Sequence, residues 1–145
     1  MLTIFLVFSL QISKKMRFLL ILFFLVFLNT AHGQYFKPKK SPSKLQENVV
    51  EKISEDSLHS TFLITIPKKV PLHFHKLHTE NIVVLSGKAL MKIGSDTLII
   101  EKGDQITIPK ETPHEVIEVI SRKPLRVYSI QSPMFDGSDR YFLKP

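Results

Sequence analysis

From about residue 60 to residue 130, turn residues interrupt the chain before any helical face can form. Apolar residues recur there at every second position or in runs of a few. A strand sends successive side chains to opposite faces, so this pattern reads as strand. A helix needs apolar residues three and four apart over ten or more positions. Residues 61–66 (TFLITI) form one such run, closed by Pro67, and residues 82–85 (IVVL) another, ended by Ser86 and Gly87. Ala89, Met91 and Ile93 alternate with Leu90 and Lys92 up to the turn at Gly94, Ser95 and Asp96. Residues 97–100, 106–108, 114–120 and 125–130 continue the series, with Gly103-Asp104 and Pro109 as breaks. Short strands at this spacing predict an all-β sandwich or barrel. Residues 47–58 are the one stretch expected to hold a turn or two of helix.

The N-terminal third has a different character. Residues 1–10 are apolar, Lys14, Lys15 and Arg17 are basic, and residues 18–28 are a run of Phe, Leu, Ile and Val. The small residues Ala31 and Gly33 follow. A basic segment, an apolar segment of about 11 residues and a small-x-small site make a secretory signal. Residues 1–33 are therefore expected to be removed after Gly33, with Met16 as an alternative translation start, and the mature protein to be secreted or periplasmic. The apolar run is too short to cross about 30 Å of hydrocarbon unaided, so no stable membrane anchor is expected. Residues 34–59 read as a linker and N-terminal extension, with Pro38 and Pro42 as punctuation, and residues 60–145 as the folded barrel.

Charge and cysteine content narrow the function. The formal charge is +7, from 20 basic and 13 acidic residues. Three of the basic residues lie in the signal, and Lys37, Lys39, Lys40 and Lys44 crowd into the linker. No basic face interleaved with aromatics emerges, so no nucleic-acid partner is expected. The chain has no cysteine, which excludes disulfides, thiolate metal sites and cysteine nucleophiles.

The chemistry is concentrated in residues 71–80 (PLHFHKLHTE). On a strand His73 and His75 share a face, opposite to Phe74. Glu80 opens the next apolar run and can swing back towards them. His114 opens a strand much later in the chain. Three neutral imidazoles and one carboxylate suit one divalent transition metal: Mn, Fe, Ni, Cu or Zn. Four protein ligands leave about two positions open on a six-coordinate ion, the condition for reactivity.

The spacing resembles the cupin superfamily. His73-x-His75, four residues, Glu80, six residues and Gly87 match its first motif. Gly103, five residues, Pro109 and then His114 match most of its second. Residues 131–139 (QSPMFDGSD) are similar to the tails of small single-domain cupins. Pro67, Glu111 and Glu118 stand where the family pattern has Gly, Gly and Asn. Glu tolerates positive φ poorly, so a different turn is expected at Glu111.

The resemblance implies a cupin-type double-stranded β-helix, a jelly-roll barrel with a short N-terminal extension. It also implies a metal held by His73, His75, Glu80 and His114, a small-molecule ligand and a homodimer. Ile82, Val84, Met91 and Ile108 are expected to line or pack the cavity. Glu118 shares strand parity with His114, which makes it a candidate acid/base; the plainer reading is a rim carboxylate paired with a cation. His78 is a second catalytic candidate, against the plainer reading of a solvated loop histidine. Tyr128 and Gln131 are within reach of the pocket. The implied function is a metal-dependent enzyme of dioxygenase, isomerase or lyase type. The alternative is a non-catalytic periplasmic binding module for a sugar-like ligand or a metal.

Overall fold

The computed structural model describes residues 13–26, 33, 35–38 and 45–143. One helix, α1 (Lys14–Val26), precedes ten strands: β1 (Val49–Glu55), β2 (Ser60–Ile66), β3 (Val70–Phe74), β4 (Thr79–Ser86), β5 (Lys88–Ile93), β6 (Asp96–Glu101), β7 (Gln105–Ile108), β8 (His114–Val119), β9 (Leu125–Ser132) and β10 (Tyr141–Phe142). Among the described residues no helix is long and apolar enough to cross a membrane. Ala31 and Gln34, on either side of Gly33 at the expected processing site, and most of the linker's lysines lie outside the described residues.

The strands form two five-stranded antiparallel sheets, ordered β1-β2-β9-β4-β7 and β10-β3-β8-β5-β6. Consecutive strands repeatedly cross from one sheet to the other, which is the double-stranded β-helix expected. Period-two burial carries the packing: Leu125, Val127, Ser129 and Gln131 of β9 all face inward. The core lies between the sheets. Ile66, Ile82, Val84, Ile108, Leu125 and Val127 come from the first, and Ala89, Met91, Ile100 and Val116 from the second. Each fully buried aliphatic side chain contributes about 1.5–3 kcal/mol against exposure.

Residues 47–58 do not form the expected turn of helix. Val49, Val50 and Ile53 are β-branched, and the free edge of β2 offers a row of hydrogen-bonding groups, so the segment adds as β1. A bulge between Lys52 and Ser54 interrupts the alternation, which hid the strand from a strict period-two reading. The sheet thus begins at Val49, ahead of the boundary expected at residue 60.

Gly87 joins β4 to β5 with φ +88°. A Cβ there would lie 2.7 Å from Leu125 Cα and 2.7 Å from Pro124 O, both backbone atoms that cannot yield. Gly87→Ala is therefore expected to destabilise the fold by about 2–4 kcal/mol, combining left-handed strain with overpacking. Urea unfolding checks this, and a loss below that range would show that the β9 backbone can move.

Candidate metal centre

His73 lies on β3 and His114 on β8, and the antiparallel register places them directly opposite each other. Their rings approach to 4.2 Å between centroids. His75 continues the line of β3 into the following loop. Glu80 comes from β4, in the other sheet, between Ile108 of β7 and Gln131 of β9. The site therefore bridges the two sheets at one end of the core. All four side chains are buried.

The imidazoles are held in one tautomer. His73 Nδ1 donates to Pro71 O (2.8 Å), His114 Nδ1 to Thr112 O (2.9 Å), and His75 Nδ1 to Asp139 O. A carbonyl can only accept, so each Nδ1 carries a proton, and Nε2 is the nitrogen left to face the centre. The three ligand nitrogens lie within 4.8 Å of one another. His75 Nε2 and His114 Nε2 are buried and have no hydrogen-bond partner. Buried polar atoms without partners are costly, and convergent lone pairs of this kind fit a metal ion. Glu80 Oε2 lies 3.2 Å from His114 Nε2 and 4.0 Å from His75 Nε2, while its Oε1 accepts from the Ser129 hydroxyl.

Electrostatics favour the ligand forms. Burial, then the neighbouring His114, push His73 down to about 4. Burial likewise lowers His75. Burial alone would raise Glu80, but His114, the Ser129 hydroxyl and His75 outweigh it and hold the carboxyl at about 2. At neutral pH His73 and His75 are thus neutral and Glu80 is ionised.

A pH dependence follows for the metal-free protein. Between about pH 6.5 and 4 the unfolded chain binds a proton at His73 that the folded chain refuses, so stability falls as pH falls through that window. His73 alone accounts for about 3 kcal/mol, and His75 acts in the same direction. Glu80 stabilises the fold above its ordinary value of 4.5 and loses that effect as pH drops towards 2. Thermal melts of chelator-treated protein from pH 7 to 4 should show a steady decline; a flat profile would contradict the buried neutral imidazoles.

Beside the centre lies a cavity of about 100 Å³. His73, Glu80 and His114 form one wall, with Val50, Ile64, Ile82, Met91 and Val127 among the apolar residues opposite. Ile82 and Met91 line it as expected, whereas Val84 and Ile108 belong to the core.

Three expectations are corrected. Glu118 is exposed and does not line the cavity. A bulge opposite Leu90 and Met91 leaves Ile117 unpaired, so parity with His114 is lost before residue 118. Glu115 and Val116 reach the cavity instead. His78 is not a solvated loop residue. It is 3% exposed, its Nδ1 meets the Asp139 carboxylate, and its Nε2 lies 3.0 Å from Met134 O. With both ring nitrogens engaged by acceptors, it anchors the C-terminal tail rather than offering a free base. Glu111 keeps the left-handed conformation at φ +64°. Its amide donates to His75 O, which ties that turn to the ligand strand.

Gln131 is buried, with Oε1 unpartnered; Tyr128 is only half-buried, on the opposite face of β9. Sequence reasoning passed over Ser129, although it shares the parity of Val127 and Gln131. It also passed over Asp139, whose carboxylate accepts from the amides of Lys76 (2.9 Å), Leu77 (2.8 Å) and His78 (3.2 Å). Burial would raise Asp139, but His78 and these amides hold it at about 2.

A two-sheet β-shell with a three-histidine cluster at one end, fit to hold a metal ion, defines a class of small barrels. A family model described as "Cupin domain" matches residues 62–131, so this stretch is similar to a cupin domain. An uncharacterised protein of Methanocaldococcus jannaschii, MJ1618, is 32% identical over 82 residues, covering 57% of this chain and 65% of that protein. The chain thus spans just under two thirds of that relative's length. A Streptomyces Pac13 variant solved with uridine has a TM-score of 0.60 at 14% identity, covering 70% of this chain and 82% of that one. Pac13 is described as a nucleoside dehydratase. A double-stranded β-helix protein of Klebsiella pneumoniae has a TM-score of 0.60 at 16% identity, covering 77% and 92%. At these identities the two structures speak for the fold.

Proposed function

We propose that this protein is an exported, mononuclear metal-dependent cupin that acts on a small molecule. The observation that carries the reading is the convergence of one ligand nitrogen from each of three histidines within 4.8 Å, each ring fixed through Nδ1 by a backbone carbonyl. His73, His75 and His114 would hold one divalent ion, and Glu80, beside two of them, would be its fourth ligand. Such an ion supplies Lewis acidity towards an oxygen of the bound molecule. The chain's own residues do the rest. Ser129 orients Glu80 by donating to Oε1. The apolar walls exclude water from the cavity, and Glu115 is the carboxylate on those walls outside the ligand set.

Isomerase and lyase chemistry need a proton acceptor near the ion, and Glu115, on the cavity wall, would be the candidate; dioxygenase chemistry needs only the open positions. Pac13, a dehydratase by description, agrees with lyase-type chemistry in a shell of this shape. A non-catalytic binding module is the second reading. Both acid/base candidates named from sequence favour it, since Glu118 is exposed and both nitrogens of His78 are engaged.

Export rests on residues 1–33, and pairing of two copies on the family resemblance. Elemental analysis of untagged protein tests the centre, with near one equivalent of a transition metal expected and none overturning it. Intact mass of the exported protein tests processing. A mature N-terminus at Gln34 is expected, and retention of residues 18–28 would refute removal.

A further inference from the structure

Arg140 is the unexplained charge beside the metal centre. It follows Asp139 in the tail and borders the main cavity and also a smaller one, which shares Val50 and Ile64 as walls. Its Nε is buried without a hydrogen-bond partner. Among the described residues no carboxylate forms an ion pair with it. Its guanidinium carbon sits 5.9 Å from the Phe135 ring centroid, which holds the plane without neutralising the charge. His73 and His75 both feel that charge.

A half-buried guanidinium with an orphaned Nε is an incomplete fork. The edge formed by Nε and one Nη matches the two oxygens of a carboxylate. The charge balance agrees. A divalent ion and Arg140 outweigh Glu80 and Glu115, so the loaded cavity is net positive and its apolar walls supply no counter-ion. We propose that Arg140 is the specificity-determining residue of this cavity, and that it seats the carboxylate of a small organic acid beside the metal centre. The assignment rests on the metal-dependent reading above. It narrows the substrate to acids compact enough for about 100 Å³, with a second oxygen near the carboxylate to face the ion.

The test uses full-length processed protein loaded with Co(II), whose visible spectrum reports on its ligands. Acetate, lactate, glycolate, 1,2-propanediol and inorganic phosphate are titrated against wild type, Arg140→Gln and Arg140→Lys. Wild type is expected to bind lactate or glycolate. Arg140→Gln should weaken this about 10- to 100-fold, the worth of hydrogen bonds to a charged group, with Co(II) stoichiometry unchanged. Arg140→Lys should recover only part, and 1,2-propanediol should not distinguish the variants.

Equal binding of the acids by wild type and Arg140→Gln overturns the proposal. So does binding of phosphate with none of the acids, or binding of no carboxylate at all. Failure of wild type to take up Co(II) overturns the metal reading instead. In that case acid-induced thermal stabilisation of the metal-free protein, present in wild type and lost in Arg140→Gln, decides the role of Arg140.

Discussion

His114→Ala is expected to purify without stoichiometric metal while remaining folded. His114 supplies one of three convergent nitrogens, and its Nε2 is buried with no hydrogen-bond partner. Losing a hydrogen-bond partner of a ligand typically costs 10- to 100-fold in metal affinity; losing the ligand itself should cost more than that. The metal-free fold should tolerate the change, because relief of an unsatisfied polar atom, about 1–3 kcal/mol, offsets much of the lost packing. Elemental analysis beside a thermal melt separates the two effects. A variant that keeps its full complement of metal would end the case for His114 as a ligand. Glu80→Ala should also lose metal, with a larger change in stability, because it strands the Ser129 hydroxyl inside the shell.

Asp139→Ala is expected to loosen both the tail and the centre. The Asp139 carboxylate is 3% exposed. It accepts from three consecutive amides and from His78, so one side chain satisfies a whole loop between β3 and β4. Its removal leaves those donors unpaired, the buried ones of His78 among them, which should cost about 2–4 kcal/mol. For a domain of this size the melting temperature should fall by roughly 10 °C or more.

The effect should reach the ligands as well. The backbone carbonyl of the same residue fixes the tautomer of His75, so a displaced tail removes that restraint and should lower metal affinity by about tenfold or more. Asp139→Asn keeps an acceptor oxygen and should fall between wild type and Ala. Unchanged melting and unchanged metal binding in Asp139→Ala would show that the tail is held elsewhere.

The strands were legible because their cause is local. Alternation along residues 61–66, 89–93 and 125–130 follows from the strand's own geometry, and the described structure places strands there. The shared face of His73 and His75 is local too. Readings failed where a bulge broke the period: at Lys52 and Ser54 in β1, and at Ile117, where parity ceases to predict the face of Glu118. They also failed where the deciding partner was remote in sequence. Nothing near His78 marks it as buried; its partners, Asp139 and Met134, lie on the returning tail. At Glu111 the preference of Glu against positive φ yielded to a backbone hydrogen bond that its amide donates to the His75 carbonyl.

The amino-acid order alone determined that this chain builds a β-shell and that its imidazoles and one carboxylate are metal-ligand types in a cupin-like spacing. Those are properties of side-chain chemistry and of a two-residue repeat. Only the tertiary structure decided that His73 stands opposite His114, that Glu80 reaches them from the other sheet, and that Asp139 and Arg140 close the site from the tail. Register and long-range hydrogen bonds set those relations. They depend on which strands meet when the core excludes water, and a local pattern carries no record of that.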